Sequence, residues 1–177
     1  MQKAIIAGAI AIAVATTALF AAGGAKMKIT SSAFQEGGDI PSKFSRDGGN
    51  VNPPLRFEGA PTNAKSLVLI VDDPDAPSRT WVHWVLFDLP GDTHALPEAT
   101  GKRASLPNGA QQGTNDFGKA GYGGPCPPPG KPHRYFFKLY ALDSRLSLKG
   151  SATKVEVEKA MQGHILGRGE LMGQYGR

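Results

Sequence analysis

Two carboxylates and two imidazoles stand at or near the ends of apolar segments of this chain. Asp73 and Asp75 follow the apolar run KSLVLIV. His83 lies inside the segment WVHWVLFDLP, and His133 opens the segment HRYFFKLYALD. Carboxylates that orient imidazoles make good hydrogen-bond donors for an anion, but the same four groups are also a donor set for a divalent metal. Both kinds of site remain open on these residues alone.

The stretch GYGGPCPPPGKPHRY, residues 121–135, leads directly into the second imidazole. Its prolines fix the backbone, and its glycines allow the backbone to approach a ligand closely. In the strand that follows, side chains alternate, so His133 and Tyr135 share one face and Arg134 points to the other. The pattern predicts a pocket with His133 and Tyr135 as donors. The alternative is a stiff loop with a surface histidine.

The same alternation places His83 on the strand face of Trp81, Val85 and Phe87. A histidine inside an apolar strand is often a core residue whose hydrogen bonds are satisfied. His83 therefore has two interpretations, a core residue or a member of the pocket.

Composition indicates one β-rich domain around these groups. The chain has 177 residues, 40% of them hydrophobic, with 23 glycines and 14 prolines. We predict strands over 65–73, 81–90 and 134–143, and one amphipathic helix within 151–166 capped by Ser151 or Thr153. The segment 106–132 has no helix or strand period, which is typical of a functional loop.

Several function classes are disfavoured by the sequence. The net charge of +5 is scattered, with no basic run longer than Lys102-Arg103, so we expect no nucleic-acid partner. The segment GTNDFGKA imitates a P-loop, but Ala120 replaces the magnesium-binding hydroxyl and no helix can begin in GYGGPCPPP. Cys126 is the only cysteine, so no intramolecular disulfide forms. No cofactor is expected.

The first 25 residues read as a secretory signal. Lys3 is followed by a long uncharged run that ends in small residues, Gly23-Gly24-Ala25. We therefore predict cleavage after Ala25, a single domain over 26–177, and a periplasmic or secreted protein. The run is also long enough to remain as a membrane anchor.

Three stretches carry a family resemblance: NVNPPLRF, LVLIVDDPDAPSRTWVHWVLFDLP and NDFGKAGYGGPCPPPGKPHRYFFKLYALD. Together they resemble the phosphatidylethanolamine-binding protein family, in its bacterial Raf-kinase-inhibitor-like branch. The resemblance runs from about Phe34 to Gly173. It implies a mainly β fold, with a large antiparallel sheet packed against a smaller sheet and short helices at the edge.

The resemblance also implies a small pocket that accepts phosphate or a phospholipid head group. The matching positions are Asp73, Asp75, His83, Gly124, Pro125, His133 and Tyr135. Cys126 departs from the animal form of the loop, which leaves open which proline lines the pocket. The resemblance further raises the expectation of a cis bond between Ala76 and Pro77.

Function is therefore expected in one of three classes. The first is an exported, non-catalytic binding protein for a small phosphorylated or anionic ligand, touching membranes only through its signal segment or lipid head groups. The second is inhibition of a protease or kinase through the loop 106–121. The third is a metal-dependent hydrolase that uses Asp73, Asp75 and the two histidines. A homodimer is left open.

Overall fold

The structure is a computed structural model that describes residues 24–100, 106 and 108–177. Nine strands, one α-helix and a 3₁₀ turn at Ser42–Phe44 are defined within these ranges. The elements are β1 (Ala25–Lys26), β2 (Lys28–Thr30), β3 (Leu55–Glu58), β4 (Ser66–Asp73), β5 (Trp81–Pro90), β6 (Ala95–Leu96), β7 (Gln111–Gln112), β8 (His133–Leu142), α1 (Lys154–Met161) and β9 (Ile165–Tyr175).

The strands form two sheets. The larger has six strands in the order β1-β9-β8-β4-β5-β7, and the smaller has three in the order β2-β3-β6. Neighbouring strands are antiparallel throughout, except that the two-residue edge strand β1 runs parallel to β9. The mainly β architecture expected from the sequence is confirmed, and the large sheet is mixed rather than purely antiparallel.

The alternation of side chains along β4 divides the core in two. Leu67, Leu69 and Val71 belong to the cluster between the two sheets, which includes Phe57 of β3. The intervening Val68 and Ile70 belong to a second cluster beneath α1. All eight residues of β4 are buried, as a continuous apolar run predicts for a strand covered on both faces.

The helix α1 is short and has a defined start. Thr153 is its N-cap: its hydroxyl accepts from the Glu156 N–H, and the Glu156 side chain accepts from the Thr153 N–H. Thr153 is thus the cap, rather than Ser151. Val157 and Met161 face the second cluster. The predicted helical stretch, 151–166, extends too far toward the C-terminus, because α1 ends at Met161 and β9 begins at Ile165.

The predicted signal segment lies outside the described residues up to position 23. Gly24 is the first described residue, and β1 pairs with β9 at Gly167 and Arg168. No helix within the described ranges has the length and apolar character needed to span a membrane.

Candidate functional site

The site lies where three strand ends meet. Both β5 and β8 run antiparallel to β4, so the last residues of β4 lie beside the first residues of its two neighbours. Asp73 is paired with Trp81 across one side, and Asp72 is paired with Phe136 across the other. The end of β4 and the starts of β5 and β8 are distant in sequence, but they therefore lie together at one end of these inner strands of the large sheet.

A cavity of about 200 Å³ opens at this end of the strands. Its wall is built from the three strand ends, the turn after β4 and the proline-rich arm, which we define as residues 121–132. The lining residues are Asp73, Ala76, Pro77, Trp81, His83, Phe117, Cys126, Pro127, Pro128, His133 and Tyr135. Four of the seven predicted site residues are in this wall: Asp73, His83, His133 and Tyr135.

His83 reaches the cavity because β5 contains a β-bulge. Val71 pairs with Trp84 and Asp72 with Val82, which leaves His83 as the extra residue. A bulge turns two consecutive side chains toward the same side of a sheet and is common beside functional sites. The sequence predicted one shared face for Trp81, His83, Val85 and Phe87. This is right for Trp81 and His83, which both line the cavity, and wrong for Val85 and Phe87, which belong to the cluster beneath α1.

The tautomer of His83 follows from its partner. The ring is buried, and Nδ1 lies 2.7 Å from the Gly123 carbonyl oxygen, which only accepts, so Nδ1–H donates. Burial lowers the pKa of His83 below its usual value, against the opposing effects of the Gly123 carbonyl and Asp73. His83 is thus both a satisfied core residue and a cavity wall. Its other ring nitrogen, Nε2, is the atom available to a ligand as an acceptor.

His133 is oriented by a carboxylate, as the sequence predicts. Its Nδ1 donates to Asp73 Oδ2 at 2.8 Å, with the His133 side chain 12% and the Asp73 side chain 4% exposed. The second oxygen, Oδ1, accepts from the Asp75 N–H at 2.8 Å. Both Asp73 oxygens therefore hold protein donors, and the pair fixes the imidazole with Nε2 as its remaining polar atom.

Two buried donors in the wall have no hydrogen-bond partner among the described residues: Trp81 Nε1 and the Tyr135 hydroxyl. Tyr135 is 1% exposed, and burial is the main reason that its pKa is raised. Asp73 and the Cys126 backbone act on this hydroxyl at short range, but neither meets hydrogen-bond geometry. An unpaired buried donor destabilises a protein by about 1–3 kcal/mol, so two of them in one wall call for an acceptor from outside.

Aromatic rings complete the wall around these donors. Phe117 packs edge-on against both Trp81 and His83, with ring centroids 5.4 Å apart in each case. His83 also packs edge-on against Tyr135 at 5.1 Å. These contacts hold the polar atoms of the wall in fixed positions without using their hydrogen-bonding capacity.

Asp75 is not brought into the cavity. Its carboxylate makes a bidentate pair with Arg134, at 2.7 and 2.9 Å, and accepts from the Arg134 N–H at 3.0 Å. The Arg134 guanidinium beside it lowers the pKa of Asp75 to about 2. Asp75 therefore fastens the turn after β4 to the start of β8 on the far side of the strand.

The same turn contains no cis bond. The described residues have only trans peptides, so the expectation of a cis bond between Ala76 and Pro77 is wrong. The Asp75 N–H folds back onto the Asp73 side chain, and this Asx-type hydrogen bond closes the turn with trans geometry.

Gly124 and Pro125 also lie outside the lining. A Cβ at Gly124 would stand 2.3 Å from the Phe44 carbonyl oxygen, so this glycine allows close packing against the protein's own backbone rather than against a ligand. The Pro125 carbonyl accepts from the Arg46 N–H at 3.0 Å. The prolines that line the cavity are Pro127 and Pro128, with Cys126 beside them.

Sequence reasoning missed several wall residues, above all Trp81 and Phe117. Trp81 lies two residues before His83 at the opening of a strand, a signal that was visible in the sequence. Phe117 lies in the irregular segment 106–132, where no periodicity predicts a position. Asn115 holds that part of the loop to the body: its side chain donates to the Gly121 carbonyl and accepts from two backbone N–H groups.

The metal-site alternative finds little geometric support. Within the described ranges, no group of three or more His, Cys, Asp and Glu side chains is arranged to hold a metal ion. Asp75 is committed to Arg134, and Nδ1 of each of the two histidines is committed to a protein acceptor.

Comparison with known proteins agrees with this geometry. The family model for phosphatidylethanolamine-binding protein matches residues 30–176. A UPF0098 protein of Methanothermobacter thermautotrophicus is 52% identical over 151 residues, which cover 85% of this chain and 99% of that protein. The UPF0098 protein PYRAB11530 of Pyrococcus abyssi is 50% identical over 158 residues, which cover 88% of each chain.

Solved structures match over the same region. A phosphatidylethanolamine-binding protein homolog from Chlamydia trachomatis, CT736, superposes with a TM-score of 0.79 at 43% identity, covering 86% of this chain and 98% of that one. YbcL of E. coli, described as a member of the mammalian PEBP family, superposes with a TM-score of 0.80 at 34% identity, covering 86% and 99%.

Proposed function

The chain belongs to the phosphatidylethanolamine-binding protein family, and from this premise we propose that it binds a small phosphorylated or otherwise anionic ligand in the cavity without turning it over. The observation that carries the proposal is the pair of buried donors, Trp81 Nε1–H and Tyr135 O–H, that have no partner among the described residues. A phosphate group offers several acceptor oxygens to such donors.

The size of the cavity supports a head group rather than a whole lipid. At about 200 Å³ it is smaller than the roughly 300–1,000 Å³ of sites for drug-sized molecules. The mouth is open, so the rest of a larger ligand can remain outside.

The imidazoles have different roles in this proposal. A protonated His133 donates from Nε2 to a phosphate oxygen while Asp73 holds its Nδ1. His83, whose charged form is disfavoured by burial, accepts through Nε2 from a protonated oxygen or an ammonium group of the ligand. The site thus suits a ligand that has both acceptors and one donor, such as phosphoethanolamine.

The test exploits two tyrosines that differ in one hydrogen bond. Tyr122 is also buried, but its hydroxyl donates to the Phe44 carbonyl at 3.0 Å. We expect Tyr135→Phe to weaken phosphoethanolamine binding about ten- to a hundredfold, the effect of one hydrogen bond to a charged group, without lowering stability. Tyr122→Phe should lower the free energy of unfolding by about 1–2 kcal/mol and leave affinity unchanged. Calorimetric titration and denaturant melts measure both.

The two tryptophans provide a second matched pair. Trp84 Nε1 donates to Gln112 Oε1 at 2.9 Å, whereas Trp81 Nε1 has no partner in the described part of the chain. Trp81→Phe should weaken binding, and Trp84→Phe should chiefly lower stability. Absence of phosphoethanolamine binding by the wild-type protein at millimolar concentration would overturn the proposed function.

The proposal includes export, which is supported by the charge and apolar pattern of residues 1–25. N-terminal sequencing of the protein from its natural host should find a chain that begins near Lys26, outside the cytoplasm. A chain that retains Met1 in the soluble cytoplasmic fraction would contradict this part of the proposal.

A further inference from the structure

The cavity wall has little positive charge with which to meet an anion. It contains no lysine or arginine, and it contains one carboxylate, Asp73. Burial lowers the pKa of His83, which disfavours a positive charge on this ring. His133 is the other wall residue that can carry a positive charge, and it stands against Asp73. A doubly charged phosphate monoester therefore needs a cation from the rim.

Most arginines near the cavity are already neutralised by carboxylates. Three of them make direct ion pairs at the ends of the sheet or on the loop: Arg79 with Asp116 at 2.8 Å, Arg134 with Asp75 at 2.7 Å and Arg177 with Asp47 at 2.5 Å. A charge that is paired in this way contributes little additional field at the cavity.

Arg46 differs from these three because it has no ion pair among the described residues. Its guanidinium carbon lies 4.3 Å from the centroid of the Phe117 ring, a wall residue. Asp47, its neighbour in sequence, is bound by Arg177, which is the main reason that the pKa of Asp47 is lowered; Arg46 acts on it only through space.

The backbone fixes Arg46 at the same place. Its N–H donates to the Pro125 carbonyl at 3.0 Å, and the next residue of the arm, Cys126, lines the cavity. Stacking on Phe117 and this backbone bond hold the Arg46 guanidinium, which has no ion-pair partner in the described part of the chain, beside a wall residue of the cavity.

We infer that Arg46 is a specificity-determining residue, which selects doubly charged phosphate monoesters over singly charged phosphodiesters by supplying positive charge at the rim. The inference rests on the proposed anion site. Arg46 meets the part of the ligand that emerges from the cavity, where a monoester presents charged oxygen and a diester presents a second ester group.

The test compares methyl phosphate with dimethyl phosphate at pH 8, where the first carries two charges and the second carries one. Calorimetric titration of Arg46→Gln should show methyl phosphate binding weakened about three- to tenfold, with dimethyl phosphate affected less than twofold. Arg46→Lys should keep most of the wild-type preference because it keeps the charge. The preference should also shrink between 0.01 and 1 M salt, as the Debye length falls from about 30 to about 3 Å.

Lys65→Gln is the matched control for net charge. Lys65 is exposed and immediately precedes β4, at the end opposite the cavity, roughly 25 Å away by the rise of an extended strand. It should bind both probes as the wild type does. An unchanged preference in Arg46→Gln, with the wild type binding both probes, overturns this inference alone. A wild type that binds neither probe overturns the proposed function and this inference together.

Discussion

Asp72 and Asp73 are consecutive residues at the end of β4, yet they lie in opposite environments. Asp72 points beneath α1, is fully buried, and is met by two lysines: Lys154 Nζ lies 2.6 Å from Oδ2, and Lys138 Nζ lies 2.8 Å from Oδ1. The Lys138 contact has hydrogen-bond geometry only to Oδ2, at 3.0 Å. Asp73 points toward the cavity and is met by a single imidazole and a backbone N–H.

The difference shows how one strand end can contribute to structure on one face and, in the function we propose, to binding on the other. The Asp72 cluster is saturated with cations and ties α1 and β8 to the middle of the sheet, so it has nothing to offer a ligand. Around Asp73, the carboxylate is satisfied but its neighbours are not: His133 keeps one ring nitrogen, and two donors have no partner in the described ranges. Buried donors without a partner therefore distinguish the proposed binding face from the structural face, where the one unbonded carboxylate oxygen, Asp72 Oδ1, still has the Lys138 ammonium at 2.8 Å.

The largest effect that tests this comparison is on stability. Asp72→Asn removes the carboxylate between two lysines, and we expect it to lower the free energy of unfolding by about 2–4 kcal/mol, somewhat less than for a fully buried pair because the lysines can turn toward water. Phosphoethanolamine affinity should change less than twofold. Denaturant melts and calorimetric titration measure the two quantities. A variant that melts like the wild type would show that this cluster is not structural.

Replacement of His83 should affect both stability and ligand binding, because His83 is buried and also lines the cavity. We expect His83→Ala to cost about 1–3 kcal/mol of stability, through the lost bond to the Gly123 carbonyl, and to weaken ligand binding as well. His164→Ala is the control: its Nδ1 also bonds a protein acceptor, Asp143, but both side chains are 47% exposed. It should change stability by less than about 1 kcal/mol. Equal melts for the two variants would contradict the structural role of His83.

His133 should affect binding more than stability. His133→Ala removes the donor proposed for the ligand and leaves one oxygen of the buried Asp73 carboxylate without its partner. We expect a loss of about ten- to a hundredfold in phosphoethanolamine affinity and a loss of about 1–3 kcal/mol in stability. Wild-type affinity in His133→Ala would show that the cavity is not the functional site.

Sequence reasoning reached the strands that carry these residues because their apolar runs are long. The predicted 65–73, 81–90 and 134–143 differ from β4, β5 and β8 by at most one residue at either end. The strand β9 was missed because its glycines lower strand propensity. The structure explains two of them: a Cβ at Gly169 would lie 2.6 Å from the Met27 carbonyl oxygen, and one at Gly173 would lie 2.6 Å from Ile40.

Side-chain orientations around the site were predicted correctly where simple alternation holds and wrongly beyond the bulge at His83. His133 and Tyr135 follow the period of two and share the cavity face. The bulge at His83 has no signal in the sequence, because it depends on register between β4 and β5. The sequence also did not show that Asp73 lines the cavity and Asp75 does not, because the guanidinium that pairs with Asp75 belongs to Arg134, 59 positions later in the chain.

The smallest expected effect is a pH dependence that belongs to the binding face. Because burial lowers the pKa of His83, the folded protein binds this proton less readily than the unfolded chain does. Stability from this group is therefore complete above the unfolded value of about 6.5 and falls as the pH drops below it. The carboxyl of Asp75, with its pKa lowered to about 2, loses its contribution only below about pH 4, so it does not contribute to a change in stability between pH 8 and pH 5. His83→Gln, which can still donate to the Gly123 carbonyl, should flatten the curve in this range, whereas replacement of the exposed His94 by Gln should leave it as in the wild type. A His83→Gln variant with the full wild-type slope would mean that the buried ring is not the group that couples folding to protons, and would remove the argument for a neutral acceptor in the cavity wall.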